Sequence, residues 1–126
     1  MIRFSFMTVV IALLPCSAVA SQMECDPVQV ERSWSQCSVC HSVVKGDDTK
    51  FGPNLHGVLG RISGAFPGYV FSTAMTQSRL KWAPSTIDLF LTDPQSLVPG
   101  NGMPYGPISD PGTRAAIICK LANSNN

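Results

Sequence analysis

Charged side chains are scarce in this chain of 126 residues, where they make up 13% of the sequence. That is about half of the share that is usual in soluble proteins. The formal net charge is only +1, without the basic stripe of a nucleic-acid-binding domain. The hydrophobic share of 44% is too high for a disordered chain. Composition therefore excludes a polycation and a disordered tail, and the length favours a single domain.

Long apolar runs are also few, and the clearest lies at the N-terminus. Arg3 precedes an apolar run over residues 4–14 and a group of small residues that ends at Ala20. Because the run is too short for a transmembrane helix, it predicts a secretory signal peptide over residues 1–20. Residues 21–126 are then one exported domain. An uncleaved N-terminal anchor is the alternative.

Cysteine is the residue type that most needs an explanation. Cys16 leaves with the predicted signal peptide, and Cys25, Cys37, Cys40 and Cys119 remain. An exported chain lies in a compartment where disulfides form. Each of the four remaining thiols therefore needs a covalent role.

Alternation of apolar and polar residues is nearly absent, so we predict no sheet and an all-α fold with long loops. The patterns predict four helices: from Asp26-Pro27 to about Cys40, around residues 72–78, from Pro84 to the residue before Pro94, and from Asp110-Pro111 to about Ala122. Glycine and proline predict loops over residues 46–68 and 94–111.

The pattern Cys37-Ser38-Val39-Cys40-His41 carries the chemistry. C-x-x-C-H is the attachment motif of c-type haem. Two thiols one helical turn apart can reach both vinyl groups at one edge of a porphyrin and form thioether bonds. His41 follows directly and is the candidate proximal ligand of the iron.

Two other roles for these cysteines remain open at this stage. A redox-active C-x-x-C usually lies in a βαβ unit, and no such pattern is present. A zinc site would use Cys37, Cys40 and His56, but a second pair of ligands at zinc-finger spacing is missing. The motif therefore favours haem over both.

Met103 is the candidate for the second axial ligand. It lies in a segment rich in glycine and proline, residues 99–105, where glycine lets the backbone approach a flat ligand closely. Met23 is near the predicted mature N-terminus, and Met75 is expected in the core. His56 is too close to the attachment motif along the chain to reach the opposite face easily.

Further segments extend the pattern: Gly52-Pro53-Asn54-Leu55, Gly57-Val58, Gly60-Arg61, Pro67-Gly68-Tyr69, Trp82, and Pro99-Gly100 before Met103. With the haem motif, they make the sequence resemble the class I c-type cytochromes, in the small type of mitochondria and photosynthetic bacteria. The resemblance covers residues 26–122. It implies the cytochrome c fold, with three to five helices and long loops around one covalent haem c.

The resemblance also implies roles for individual residues. The backbone carbonyl of Pro53 is expected to accept the Nδ1 proton of His41, which would fix the ring. Arg61, Tyr69 and Trp82 are expected partners of a buried haem propionate, since a buried charge must be paired or hydrogen-bonded.

The chain departs from the family at several positions. Ser33 replaces an aromatic residue, Phe71 a tyrosine, and Gly102 a lysine. Cys25 and Cys119 are not family features. Because the first and last helices cross in this family, we expect a disulfide between these two cysteines, with two buried free thiols as the alternative.

Ligation by both His41 and Met103 would leave no open position on the iron, so the predicted function is one-electron transfer rather than catalysis. We expect a periplasmic or otherwise exported soluble monomer. Its partners would be transient redox proteins, either a membrane complex or a periplasmic dehydrogenase or oxidase, with neither nucleic acid nor stable membrane insertion. Without Arg3, 9 − 1 = 8 basic groups face 8 acidic groups, so weak electrostatic steering is expected. A haem enzyme or gas sensor with an open distal site is the alternative.

Overall fold

The computed structural model describes residues 25–125, so the predicted signal peptide over residues 1–20 lies outside the described residues. Over this range the chain is all-α, as predicted. It has five α-helices and one short 3-10 helix: α1 Pro27–Trp34, the 3-10 helix Cys37–Val39, α2 Thr73–Ser78, α3 Pro84–Thr92, α4 Pro94–Leu97 and α5 Pro111–Asn123. The described range contains no strand, only an isolated antiparallel bridge between Ile62 and Lys81.

Three of the helices begin at an aspartate followed by a proline. The side chain of Asp26 accepts a hydrogen bond from a backbone N–H at the start of α1, and Asp93 and Asp110 do the same for α4 and α5. The aspartate satisfies an N–H that the helix leaves unpaired, while proline at the first helical position has no N–H to satisfy. These short helices therefore start at sharply defined positions.

Two predicted boundaries are wrong. Helix α1 ends at Trp34 instead of continuing to Cys40, and the first haem-motif cysteine begins a separate 3-10 helix. The hydroxyls of Ser35 and Ser38 each donate to a backbone carbonyl three residues earlier, an alternative to regular helix bonding. Helix α4 lies inside the loop predicted over residues 94–111, because Asp93 caps it.

Helices α1 and α5 pack together and bury the main apolar cluster. Trp34, 6% exposed, belongs to this cluster together with buried residues of α3, α5 and the 46–68 loop: Val58, Ile87, Leu91, Ile117, Ile118 and Leu121. The predicted disulfide is confirmed: Cys25 is bonded to Cys119, with 5.8 Å between the Cα atoms. This core thus lies between the first and last described helices. None of the described helices is long and apolar enough to span a membrane.

The capping aspartates predict how the stability of the fold depends on pH. The hydroxyl and the backbone N–H of Thr113 hold the pKa of Asp110 below its ordinary range. A carboxylate with a lowered folded-state pKa stabilises the fold above its unfolded-state pKa, and this contribution is lost as the pH falls through the folded-state value. Stability should therefore decrease as the pH falls below about 4, the ordinary range of a carboxyl group.

The matched variant is Asp110→Asn, which keeps a side-chain oxygen for the N–H of Thr113 but cannot titrate. Circular dichroism during acid titration should show a smaller loss of stability between neutral and acidic pH in the variant than in the wild type. An unchanged pH dependence would show that this cap does not contribute to acid unfolding.

Candidate haem site

The two haem-motif cysteines lie in a tight turn directly after α1. The backbone N–H groups of Cys40 and His41 both donate to the carbonyl of Cys37, at 3.1 and 2.9 Å. Cys37 and Cys40 are free thiols and are half-buried. Burial raises the pKa of the Cys37 thiol above its ordinary value. The structure thus presents two unpaired thiols on one short turn, next to an imidazole.

The ring of His41 is held by the loop that contains Pro53. Nδ1 of His41 lies 2.8 Å from the Pro53 carbonyl oxygen. A carbonyl can only accept a hydrogen bond, so Nδ1 carries the proton. Burial lowers the pKa of His41 below its ordinary value, and the contact with Pro53 opposes this only in part. A neutral ring with its proton on Nδ1 leaves the lone pair on Nε2 available for a metal.

Gly52 makes this close approach of loop and ring possible. Its backbone N–H donates to the carbonyl of Cys40 at 2.7 Å. A methyl group at this position would lie 2.5 Å from Cε1 of His41 and 2.8 Å from the Cys40 carbonyl oxygen. Only glycine therefore fits between the imidazole and the backbone.

Replacing Gly52 with alanine should push the His41 ring away from Pro53. Overpacking of this kind typically destabilises a protein by about 1–3 kcal/mol. We expect a lower unfolding midpoint and a reduced yield of haem-bearing protein, measured by absorbance per mole of purified chain.

Gly102→Ala is the control, because a methyl group there meets no atom within 4 Å. It should leave stability and haem content near wild type. Equal behaviour of the two variants would contradict the requirement for glycine at position 52.

Met103 lies on a second apolar cluster, formed around α2, α3 and α4. Its half-buried side chain packs against the buried residues Met75, Phe90 and Val98, and Trp82 contacts both this cluster and the α1–α5 core. The backbone N–H of Met103 donates to Oδ1 of Asn101 at 3.0 Å. The thioether therefore lies in apolar surroundings on a segment with a defined backbone bond.

The other candidate ligands have different surroundings. Met75 is only 8% exposed and belongs to the core, as predicted. His56 lies on the same loop as Pro53, and its backbone bonds to Asn54 and Arg61. Met23 lies outside the described residues. Within residues 25–125 no group of three His, Cys, Asp or Glu side chains could hold a metal ion, which argues against a zinc site.

Of the three predicted propionate partners, the structure brings two together. The backbone N–H of Trp82 donates to the carbonyl of Arg61 at 2.9 Å. The guanidinium of Arg61 donates to the carbonyls of Asn54 and His56, and its burial lowers its pKa. Tyr69 instead packs edge-on against Phe71, with 4.7 Å between ring centroids.

Two buried asparagines and one exposed pair also support the site and were not predicted from the sequence. Asn54 and Asn101 are 3% and 7% exposed, and each uses its side-chain amide to bond backbone groups. The hydroxyl of Tyr105 donates to Oε1 of Gln36. In both asparagines, Oδ1 accepts the backbone N–H of the residue two positions later. Asparagine commonly makes this local side-chain turn. The partner of Tyr105 is 69 residues distant, so no local signal could have identified it.

The residues present fit a covalently bound haem. Two free thiols lie on one turn, a neutral imidazole has its Nε2 available, a thioether lies on an apolar cluster, and Gly52 leaves the space in which the imidazole is held. Fold and site together define a small helical domain that can hold one haem through a C-x-x-C-H turn.

Comparison with known proteins identifies the family. The chain is 41% identical over 97 residues to cytochrome c2 of Rhodopila globiformis, covering 76% of this chain and 91% of that protein. It is 36% identical over 100 residues to cytochrome c2 of Rhodomicrobium vannielii, covering 79% and 80%. The structure of cytochrome cH from Methylobacterium extorquens matches with a TM-score of 0.70 and 35% identity, covering 78% of this chain and 98% of that one. No family model matches the sequence.

The chain belongs to the class I c-type cytochromes. It therefore carries one covalently bound haem c and is a monohaem electron carrier in the general sense of this family. The predictions of the family, the cytochrome c fold and the cofactor are confirmed.

Proposed function

We propose that this chain is an exported electron carrier that passes one electron at a time between redox proteins, with His41 and Met103 as the two axial ligands. Cys37 and Cys40 are the proposed sites of thioether attachment. The observation that carries the proposal is the contact between His41 Nδ1 and the Pro53 carbonyl, at 2.8 Å. It leaves Nε2 as the only ring atom available for the iron.

Each proposed ligand has a distinct task. Pro53 keeps the proton on Nδ1 of His41 and fixes the orientation of the ring, which makes Nε2 a better donor. Met103 supplies a thioether from an apolar cluster, and such ligation raises the reduction potential. The bound haem supplies one-electron chemistry by alternating between Fe(II) and Fe(III). If His41 and Met103 both hold the iron, a substrate would have no position at which to bind it, which supports a carrier rather than an enzyme.

Arg61, Tyr69 and Trp82 are the proposed surroundings of a haem propionate. The guanidinium of Arg61 has five N–H donors, and contacts with the carbonyls of Asn54 and His56 use two of its nitrogens. The remaining donor capacity supports a role beside a carboxylate. Tyr69 and Trp82 would contribute a hydroxyl and an indole N–H.

The proposed location is the periplasm or another exported compartment. Residues 1–20 have the layout of a signal peptide, and the bond between Cys25 and Cys119 is of a kind that forms in oxidising compartments.

The proposed partners dock without strong electrostatic guidance. Only four lysines follow the predicted signal peptide: Lys45, Lys50, Lys81 and Lys120. Lys120 pairs with Glu31. Over the whole predicted mature chain, 9 − 1 = 8 basic groups are matched by 8 acidic groups, so little net charge remains to attract an acidic partner.

Electron transfer with the physiological partner should therefore depend weakly on salt. Strong steering changes association rates by about 10–10³-fold. We expect stopped-flow rates to fall by less than about tenfold between low and physiological ionic strength. A steeper fall would show that a charged docking surface exists on this chain.

Absorbance spectroscopy tests the carrier function against a haem enzyme or gas sensor. The oxidised wild type should show the weak charge-transfer band of iron bound to methionine sulfur. The reduced protein should not bind carbon monoxide readily at neutral pH. Absence of the band together with ready binding of carbon monoxide would indicate an open distal site and contradict the proposed function.

A further inference from the structure

The side chain of Asn101 joins the segment that carries Met103 to helix α4. Its Nδ2 donates to the carbonyls of Pro94 and Val98 at 2.9 and 3.0 Å, and its Oδ1 accepts the backbone N–H of Met103 at 3.0 Å. From this geometry we propose that Asn101 is a positioning residue, which holds Met103 in the ligating arrangement and suppresses its exchange for an external ligand. The inference rests on the proposed function, in which Met103 is the sixth ligand.

The bonding of Asn101 requires both donor and acceptor groups on one short side chain. The residue is 7% exposed, so water replaces these partners poorly. An aspartate would keep the acceptor but lose both donors, and a serine hydroxyl would offer one donor where the amide offers two. An asparagine at this position can bond helix α4 and Met103 simultaneously.

Loss of this amide should loosen the Met103 segment without removing the end of α4. The carbonyls of Pro94 and Val98 also accept backbone N–H groups, from Val98 and Asn101, at 3.0 Å each. Those backbone bonds remain when the side chain is shortened. By contrast, the N–H of Met103 bonds to the Asn101 side chain itself, so this bond is lost when the side chain is shortened. The effect should therefore be concentrated at the ligand.

A second amide supports the same segment from α4. Oε1 of Gln95 accepts the N–H of Gly100 at 3.2 Å, and Nε2 of Gln95 donates to the Asn101 carbonyl at 3.3 Å. Asp93 in turn caps α4 through the N–H of Ser96. These hydrogen bonds thus hold residues 98–103 against helix α4.

A free ligand such as imidazole can bind the iron only in molecules from which Met103 has moved away. Its apparent affinity equals its intrinsic affinity multiplied by the fraction of such molecules. If Asn101 stabilises the ligating arrangement, shortening its side chain raises that fraction. The apparent affinity for imidazole then rises by the same factor.

The test is a titration of the oxidised holoprotein with imidazole, followed by absorbance. Met103→Ala, which has no ligand to displace, should bind imidazole much more tightly than wild type. Asn101→Ala should bind it at least about tenfold more tightly than wild type. Asn101→Ser should fall between Asn101→Ala and wild type, because a hydroxyl can accept the N–H of Met103 more weakly. If Asn101→Ala fails to accumulate, Asn101→Ser carries the test.

Asn54 provides a matched control, because it bonds in the same pattern away from Met103. It is 3% exposed, its Nδ2 donates to the carbonyls of Val44 and Asp47 at 2.7 and 2.9 Å, and its Oδ1 accepts the N–H of His56 at 2.7 Å. Asn54→Ala should lower the unfolding midpoint, and it should raise imidazole affinity by a clearly smaller factor than Asn101→Ala, because its side chain does not bond to the Met103 segment.

Two outcomes would overturn the role of Asn101: wild-type imidazole affinity in both Asn101 variants, or an equal gain in Asn54→Ala. A different outcome would overturn the proposed function instead. If Met103→Ala binds imidazole no more tightly than wild type, Met103 is not the ligand that imidazole displaces.

Discussion

Replacing Met103 with alanine should open one axial position of the iron. The charge-transfer band of the oxidised protein should disappear, and the reduced protein should bind carbon monoxide. Axial ligands set the reduction potential of haem over a range of roughly 0.8 V. The potential should fall by a large part of this range in the variant, because thioether ligation favours the reduced iron. Absorbance spectroscopy and a redox titration measure these effects.

Met75→Leu is the control for Met103→Ala. Met75 is the other thioether of the same apolar cluster and is buried. The change to leucine nearly conserves volume and should cost less than about 1.5 kcal/mol. Its spectrum and potential should stay those of the wild type. Loss of the charge-transfer band in Met75→Leu, with the band kept in Met103→Ala, would assign the sixth ligand to Met75.

Removing the bond between Cys25 and Cys119 should have the largest effect on stability. The two cysteines are 94 residues apart, so the bond closes nearly the whole described chain into a loop. Loss of a native disulfide from a small exported domain typically lowers the free energy of unfolding by about 2–5 kcal/mol. We expect this loss in the double variant Cys25→Ala/Cys119→Ala, measured by denaturant unfolding of the holoprotein.

Glu31→Gln is the comparison, because Glu31 pairs with Lys120 across the same two helices. The carboxylate side chain is 66% exposed, and exposed ion pairs contribute about 0–1 kcal/mol. The double cysteine variant should therefore lose far more stability than Glu31→Gln. A loss of similar size in both would show that the disulfide does not hold α1 and α5 together.

Helix starts could be predicted from local sequence more reliably than helix ends. The Asp-Pro pairs at residues 26–27 and 110–111 predicted α1 and α5, since capping depends on adjacent residues. The same pair at residues 93–94 directly follows α3, where Pro94 also predicts the end of that helix, so the start of α4 could not be told from a helix end. The end of α1 has neither glycine nor proline, and it depends on serine side-chain bonds that compete with the helix.

The candidate site divides in a similar way. The haem motif and Met103 could be identified because their chemistry lies in residue type and spacing. The support behind them could not, because it depends on contacts between residues that are not adjacent in the sequence. Asn101 reaches a carbonyl seven residues earlier, and Tyr105 reaches Gln36 from 69 residues away. Only the folded chain brings these groups together.

X-ray absorption at the iron edge of the oxidised wild-type holoprotein identifies the atoms bound to the iron. We expect one sulfur and five nitrogen atoms around the iron, with the sulfur lost in Met103→Ala. Six nitrogen or oxygen neighbours, or a five-coordinate iron, in the wild type would contradict ligation by His41 and Met103.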